Sequence, residues 1–257
     1  MTLAALTAFS FFLALSQSCD SGSPPPPSVD SIPRILVFSK TAGYRHASIP
    51  AGIAAIESLG VRNGFAVDAT EDDHAFTDAI LERYAAVVFL STSGDVLDGD
   101  QEDAFERFIQ KGRGFAGVHS ASDTEYGWDW YGLLVGAYFD NHPAIQGAQI
   151  HRQDSLHISS HELPAVWTRT DEWYSFRTQP PQDASVLLNL DEASYSGGTM
   201  GTTHPVSWYR PYDGGRSWYT ALGHTAESFS EQEFLKHLGG GILWAAGIEK
   251  SNVVVAQ

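Results

Sequence analysis

The first half of the chain alternates apolar strands with helical patterns, and this alternation restricts the possible folds more than any other feature. The runs "RILVFSK" and "AAVVFLS" are apolar and β-branched, which is typical of buried parallel strands, and "FAVDAT" and "GFAGVH" are shorter examples. Between them lie the helical patterns "SIPAGIAAIESLGV", "TDAILERY" and "DGDQEDAFERFIQKG". Strands that alternate with helices predict an α/β fold around a mainly parallel sheet with right-handed crossovers.

The helix ends carry their own signals. Ser48 is an N-cap candidate for the first helix, proline follows in the first turn, and Gly60 stands near the predicted end. The third helix begins with acidic residues and has Lys111 before a C-terminal glycine, the charge order that the helix dipole favours.

Ligands of parallel α/β sheets bind at the carboxyl ends of the strands. This rule predicts that three loops share one rim of the sheet. They are "SKTAGYRHAS" after the first strand, "STSGDVLDGD" after the third and "HSASDTEY" after the fourth.

The second half has a different pattern. Short runs such as "AQIHRQDSLHIS" and "ASVLLNLD" indicate an added section of antiparallel or mixed strands. "RPYDGGRSWY" predicts a hairpin, because Asp213 and the two glycines after it can adopt the positive φ of a tight turn. "SEQEFLKHLGGGILWAAG" predicts a closing helix that packs on the sheet, so the folded part is one domain.

The N-terminal segment predicts export from a bacterial cell. Residues 1–19 contain a short apolar run from Leu3 to Leu15, followed by small and polar residues and Cys19, as in a signal peptide with a lipoprotein processing site, although no lysine or arginine precedes the run. A cleaved soluble signal peptide with an incidental cysteine is the alternative. Residues 20–32 are a proline-rich linker, and residues 33–250 form the predicted domain. We expect a periplasmic or outer-membrane-associated lipoprotein, held at the membrane only by its lipid anchor.

Composition narrows the choice of partners and chemistry. A formal net charge of −16 argues against nucleic acid and anionic membrane surfaces as partners. Cys19 is the only cysteine, so the domain has no cysteine nucleophile and no thiolate metal site. "KTAGYRH" has neither of the glycine spacings of nucleotide-binding loops, so no nucleotide cofactor is expected. Seven tryptophans favour a carbohydrate ligand, although tryptophan also fills protein cores.

Five histidines stand at strand ends or strand-like junctions, where the predicted rim lies. Imidazole is a common metal ligand and titrates near neutral pH, so histidines that meet at one rim would form a metal or acid–base site. The spacing permits this convergence and does not require it. The five are His46, His119, His142, His204 and His224.

His119 ends the fourth strand and is the strongest catalytic candidate. Asp123 follows four residues later, so the two form either a general base with its orienting carboxylate or two ligands of one metal. A histidine that only caps the strand is the structural alternative. Ser120 does not fit the nucleophile elbow G-x-S-x-G. In "TDEWY", Asp171 or Glu172 can reach the rim as acid, base or ligand, and Glu172 is our catalytic candidate.

The series GYRH, GVHSASDTEY, NHP, THP and GHT resembles the ThuA-like (trehalose-utilisation) domain of the class I glutamine amidotransferase-like superfamily, over about residues 34–248. The resemblance implies a three-layer, flavodoxin-like α/β sandwich. The superfamily carries a cysteine at the elbow, where this chain has "GVHSA", so amidotransferase chemistry is not implied. ThuA-like members occur beside sugar oxidoreductases, which implies work on disaccharides, glycosides or keto-sugar derivatives.

These observations predict an exported carbohydrate-active protein. Our leading hypothesis is a hydrolase or lyase that cleaves glycosidic bonds, including those of 3-keto sugars, by acid–base or metal-assisted chemistry. A non-catalytic sugar-binding lipoprotein is the alternative. His46, His119 and His224 are the expected ligands of a divalent zinc, manganese or calcium ion. The predicted substrate-binding residues are Tyr44, Arg45, Tyr126, Trp128, His142 and His204.

Overall fold

A computed structural model describes residues 32–248, together with Met1. The predicted signal peptide, the processing site at Cys19 and nearly all of the proline-rich linker therefore lie outside the described residues. Two units are distinguished along the chain, residues 1–31 and 32–257, and the second contains every element named below. In the described part of the chain, no helix is long and apolar enough to cross a membrane.

The fold of the described residues is α/β, with five α-helices and a large central sheet. The helices are α1 (Ile49–Asn63), α2 (Asp78–Leu81), α3 (Gly99–Gln110), α4 (Asp129–Val135) and α5 (Gln232–Ala246). The strands of the first half are β1 (Arg34–Phe38), β2 (Ala66–Thr70), β3 (Ala86–Leu90) and β4 (Gly114–Val118). Those of the second half are β5 (Phe139–Asn141), β6 (Gln146–Arg152), β7 (Val166–Asp171), β8 (Ser175–Phe176), β9 (Ser185–Leu190), β10 (Pro205–Tyr212) and β11 (Gly215–Thr220).

Nine strands pair in the order β2-β1-β3-β4-β11-β10-β9-β6-β7, and β5 pairs with β8 separately. The pairings from β2 to β11 are parallel, and those from β11 to β7 are antiparallel. The four strands predicted in the first half are confirmed. The predicted hairpin is also confirmed, because β10 and β11 meet at a turn in which Asp213 and Gly214 both have positive φ. The number of layers stays a prediction.

Local sequence explains the helix ends. The side chain of Asp98 and that of Gln101 form a reciprocal capping box at the start of α3. α1 begins directly after Ser48, but the Ser48 hydroxyl makes no capping bond and donates to the Gly223 carbonyl instead. Gly60 lies inside α1, and the left-handed residue that ends the helix is Gly64.

The predicted rim is formed by the loops after β1, β3 and β4. Isolated bridges join Thr41 to Ser93 and Gly94 to Thr124, so the loop after β3 lies between the other two. The core beneath them is apolar and aromatic, with Phe38, Phe89 and Phe115 fully buried. The three predicted loops therefore share one edge of the sheet.

The antiparallel half of the sheet curls back towards this rim. Four antiparallel pairings separate β7 from β11, so β7 runs in the same direction as β4 and ends at the same edge. In a flat sheet β7 would lie about 24 Å from β4, five strand spacings away. Instead, Trp167 of β7 donates to Glu231 just before α5, and His237 of α5 bonds to the Ser159 carbonyl between β6 and β7. The sheet thus wraps around α5.

Candidate functional site

Four side chains meet at the rim. They are His46 from the loop after β1, His119 directly after β4, Glu172 directly after β7 and His224 from the loop after β11. One potential ligand atom of each lies within 4.8 Å of the others. We call these four residues the His–Glu cluster. His46, His119 and Glu172 are buried and His224 is partly buried, so the cluster is largely enclosed by protein.

The backbone at His119 has a φ of +53°, which is uncommon for a residue other than glycine. β4 ends at Val118, and a short 3₁₀ turn follows from His119 to Asp123. The Tyr219 hydroxyl donates to the His119 carbonyl at 2.9 Å and supports this conformation. A left-handed residue at a strand end that is stabilised by its surroundings is typical of functional sites.

The hydrogen bonds of His119 define which ring nitrogen carries the proton. Its Nδ1 lies 2.7 Å from the Ala221 carbonyl oxygen, which can only accept, so Nδ1 carries the proton and donates. In the neutral ring, Nε2 therefore presents a lone pair. The orienting group of His119 is thus a backbone carbonyl, whereas the sequence had suggested Asp123. Asp123 instead accepts from the Tyr126 hydroxyl at 2.6 Å.

The lone pair of His119 faces other potential ligands. His119 Nε2 lies 3.1 Å from His46 Nε2, 3.2 Å from His224 Nδ1 and 3.5 Å from Glu172 Oε2. A neutral Nε2 has no proton to share among three neighbours, and Glu172 Oε2 only accepts when ionised. Tetrahedral zinc with bonds of 2.0–2.1 Å separates its nitrogen ligands by about 3.3–3.4 Å. The spacing and the chemistry of these atoms fit a bound cation.

Electrostatics keeps two members of the cluster, His46 and Glu172, in the protonation states that metal ligands need. Burial and the nearby His119 and His224 lower the pKa of His46 to about 3, so this ring is neutral at pH 7. Burial alone would raise the pKa of Glu172, but the adjacent imidazoles of His119 and His224 hold it below its usual range. The hydrogen bond to Glu172 raises the pKa of His224. The carboxylate is therefore ionised beside a neutral imidazole, as a divalent ion requires.

His142 and Tyr174 extend the site. His142 Nδ1 lies 3.1 Å from Glu172 Oε1, and 40% of the His142 side chain is exposed. The Tyr174 ring packs on the His119 ring, with 4.3 Å between the ring centroids. Burial raises the pKa of the Tyr174 hydroxyl well above 10. Sequence reasoning missed Tyr174, although it lies two residues after Glu172 in "TDEWY", a motif that had already been selected for its acids.

Other predicted residues lie beside the cluster or apart from it. The Tyr44 ring contacts His46 edge to face at 4.8 Å and is 66% exposed. With His46, His224, Ile145 and Glu227, it lines a cavity of about 280 Å³ over the cluster. Arg45 pairs with Glu71 on the surface.

Two further candidates, Tyr126 and Trp128, are not brought into the cluster. Tyr126 is 37% exposed and bonds to Asp123. The indole of Trp128 donates to Glu106 and stacks on Trp130, so its ring is packed rather than open to a ligand.

His204 is fully buried, away from the cluster. Its Nε2 lies 2.7 Å from the Tyr174 carbonyl oxygen, and its Nδ1 lies 2.8 Å from Glu192 Oε1. Both ring nitrogens are thus engaged within the protein. In this structure His204 supports the backbone of Tyr174, while the sequence had indicated a substrate contact.

Known structures share this fold. A protein described as ThuA-like from Bacteroides uniformis superposes with a TM-score of 0.69 at 20% identity, over 87% of this chain and 95% of its own. A second ThuA-like protein, from Parabacteroides merdae, superposes with a TM-score of 0.68 at 18% identity, over 86% of this chain and 92% of its own. A β-galactosidase from Bacillus circulans sp. alkalophilus superposes with a TM-score of 0.56 at 15% identity, over 85% of this chain and 32% of its own. A comparison with curated proteins finds no significant match.

The strand order and these superpositions define an α/β domain with the same fold as these proteins. The family model described as "ThuA: Trehalose utilisation" matches residues 34–245. The chain belongs to the ThuA family, and this membership indicates a carbohydrate-related role.

Proposed function

We propose that this chain is an exported enzyme that cleaves glycosidic bonds of a sugar or keto-sugar derivative, with a divalent metal ion held by the His–Glu cluster. The observation that carries the proposal is the position of His119 Nε2, whose lone pair lies within 3.5 Å of two imidazole nitrogens and a carboxylate oxygen. Family membership supports carbohydrate as the substrate class.

The donor set favours a particular group of metals. Three imidazoles and one carboxylate suit zinc and other first-row transition metals. Calcium takes oxygen ligands, so among zinc, manganese and calcium the cluster favours zinc. A divalent ion supplies Lewis acidity toward a substrate oxygen at such a site.

The residues of the chain supply binding and proton transfer. The Nδ1 of His142 lies near both Glu172 and the Pro143 carbonyl, so we assign the proton to Nδ1 and the lone pair to Nε2. Among the described residues, that Nε2 has no hydrogen-bond partner. A half-exposed imidazole in this state can exchange a proton with a substrate, which is the role of a general base. The Tyr174 hydroxyl stays protonated, and its ring packs on His119, so it is our candidate hydrogen-bond donor to the substrate.

Metal content of the full chain, purified without a histidine tag, tests the proposal. We expect near-stoichiometric metal by mass spectrometry in the wild type and its loss in His119→Ala. His161→Ala is the matched control, because His161 is an exposed histidine outside the cluster. No bound metal in the wild type, even after supplementation with zinc and manganese, would exclude a metal centre.

Turnover separates the enzyme from a binding protein. We expect the wild type to release sugar from a panel of disaccharides, aryl glycosides and their 3-keto derivatives, and His119→Ala to retain the fold without activity. Sugar binding by calorimetry that is equal in both proteins, with no turnover in either, would instead support a non-catalytic sugar-binding lipoprotein.

Export and lipid attachment at Cys19 belong to the same proposal. The supporting feature is the short apolar run before Cys19 and the proline-rich segment after it. In a bacterial host, we expect the full chain in the membrane fraction and Cys19→Ser outside it. Equal distribution of the two proteins would contradict lipidation.

A further inference from the structure

Asp171 lies directly beside the His–Glu cluster without belonging to it. It ends β7 and is 0% exposed. One of its oxygens, Oδ1, accepts the backbone N–H of Glu172 at 3.0 Å and that of His224 at 3.2 Å. The other, Oδ2, accepts the N–H of Gly223 at 2.9 Å. Two of these three amides belong to cluster residues.

The charge of this buried carboxylate is compensated by Arg169. Arg169 Nη2 lies 3.2 Å from Asp171 Oδ2 and also donates to the Ser228 hydroxyl at 2.8 Å. Arg169 Nε lies 3.1 Å from Glu231, and the guanidinium packs over the ring of Trp167 at 4.9 Å. Held from several sides, the guanidinium fixes the carboxylate in one orientation.

The two cluster residues that Asp171 joins come from distant parts of the chain. Asp171 and His224 are 53 positions apart, and the loop that carries His224 contains Gly223 with a φ of +110°. Glycine can adopt many backbone conformations, so this turn keeps one of them when neighbouring groups hold it. Asp171 supplies that support and also fixes the start of the segment that presents Glu172.

We infer that Asp171 is a positioning residue, which sets the metal affinity of the proposed site by fixing Glu172 and His224 relative to each other. This inference rests on the metal site under Proposed function. Groups that orient metal ligands typically change metal affinity 10- to 100-fold when they are mutated. The carboxylate acts through backbone amides, so the ligands themselves stay unchanged in a variant.

Asp171→Asn tests the inference, because the amide is similar in size but has only one acceptor oxygen for three N–H groups. Zinc affinity is measured by competition with a chelating dye, and ligand geometry by the visible absorption of the cobalt(II)-loaded protein. We expect about 10- to 100-fold weaker zinc binding and a changed cobalt spectrum. Asp183→Asn is the control, since Asp183 pairs with the buried Arg210 elsewhere in the fold. It should match the wild type in both measurements.

Unchanged zinc affinity and cobalt spectrum in a folded Asp171→Asn would overturn the inference and leave the metal site intact. A wild type that binds neither ion would overturn the proposed function instead. If Asp171→Asn does not fold, amide exchange in the metal-free wild type decides the question. Slow exchange at Gly223 and His224 supports preorganisation by Asp171, and fast exchange at both amides refutes it.

Discussion

Three consecutive glycines in α5 lie at different contacts, and alanine should be tolerated at Gly239 but should destabilise the fold at Gly240 and at Gly241. A Cβ on Gly239 would meet a terminal methyl of Leu59 at 3.0 Å. On Gly240 it would meet the Ile158 carbonyl oxygen at 2.5 Å, and on Gly241 the Trp218 ring at 2.2 Å. All three substitutions gain the same intrinsic helix preference of about 1 kcal/mol, so the contacts determine the order.

The magnitudes follow from how far each neighbour can move. The methyl of Leu59 is at the end of a flexible side chain, so Gly239→Ala should lie between no change and about 1 kcal/mol of stabilisation. The backbone carbonyl of Ile158 and the fully buried indole of Trp218 cannot move by about 1 Å without disturbing the packing around them. Such overpacking costs about 1–3 kcal/mol or more of folding free energy. After the helix preference of about 1 kcal/mol is subtracted, Gly240→Ala and Gly241→Ala should each lose up to about 2 kcal/mol.

Urea unfolding of the three variants, followed by circular dichroism, measures these differences. The wild type and Gly239→Ala serve as references for the other two. The reasoning about close packing between α5 and the sheet is refuted if Gly241→Ala is as stable as Gly239→Ala.

Three further predictions concern single side chains. Burial raises the pKa of Glu125 to about 7 from 4.5, so its contribution to stability is complete below pH 4.5 and is lost as the pH rises to 7. In urea unfolding, the stability of Glu125→Gln relative to the wild type should therefore increase by about 3 kcal/mol from pH 4.5 to pH 8. An equal difference between the two proteins at both pH values would contradict this. Burial lowers the pKa of His237 to about 3, so only the unfolded state takes up the proton below pH 6.5, and the folded state becomes less stable as the pH decreases. When the pH is lowered from 7 to 5, His237→Gln should lose about 2 kcal/mol less stability than the wild type. An equal loss in both proteins would argue against a neutral buried ring. Tyr174→Phe should keep its metal content and lower turnover about 100-fold, since it removes one hydrogen-bond donor and keeps the ring on His119; unchanged turnover would exclude this role.

The parallel half of the fold and three members of the cluster could be predicted from the sequence. Buried parallel strands are continuous apolar runs, so their ends, and with them His46 and His119, are visible in the sequence. Glu172 was a candidate acid, but its contact with His119 depends on the curl of the sheet around α5, which no local pattern encodes. The "GHT" motif marks His224 as an expected ligand beside His46 and His119, and only the structure shows its contact with Glu172.

The roles of individual side chains were less predictable, because they depend on contacts between distant residues. Trp128 looks like a sugar platform in sequence, yet it is buried by Trp130 and bonded to Glu106. His204 carries the same "HP" signal as His142, and only the structure shows that Glu192 and the Tyr174 carbonyl engage both of its nitrogens. A motif identifies a histidine near a strand end, and long-range packing decides which way its ring faces.

The curl of the sheet means that the His–Glu cluster also closes long loops of the chain. His46 and His119 are 73 positions apart, and His119 and His224 are 105 apart. In an unfolded chain these groups are rarely together, because closing loops of this length is entropically unfavourable. An ion held by all four groups binds the folded state alone and stabilises it by mass action. It would act as a cross-link between β7 at one end of the sheet and the loops after β1, β4 and β11, so metal supply would influence the lifetime of the folded protein as well as its activity.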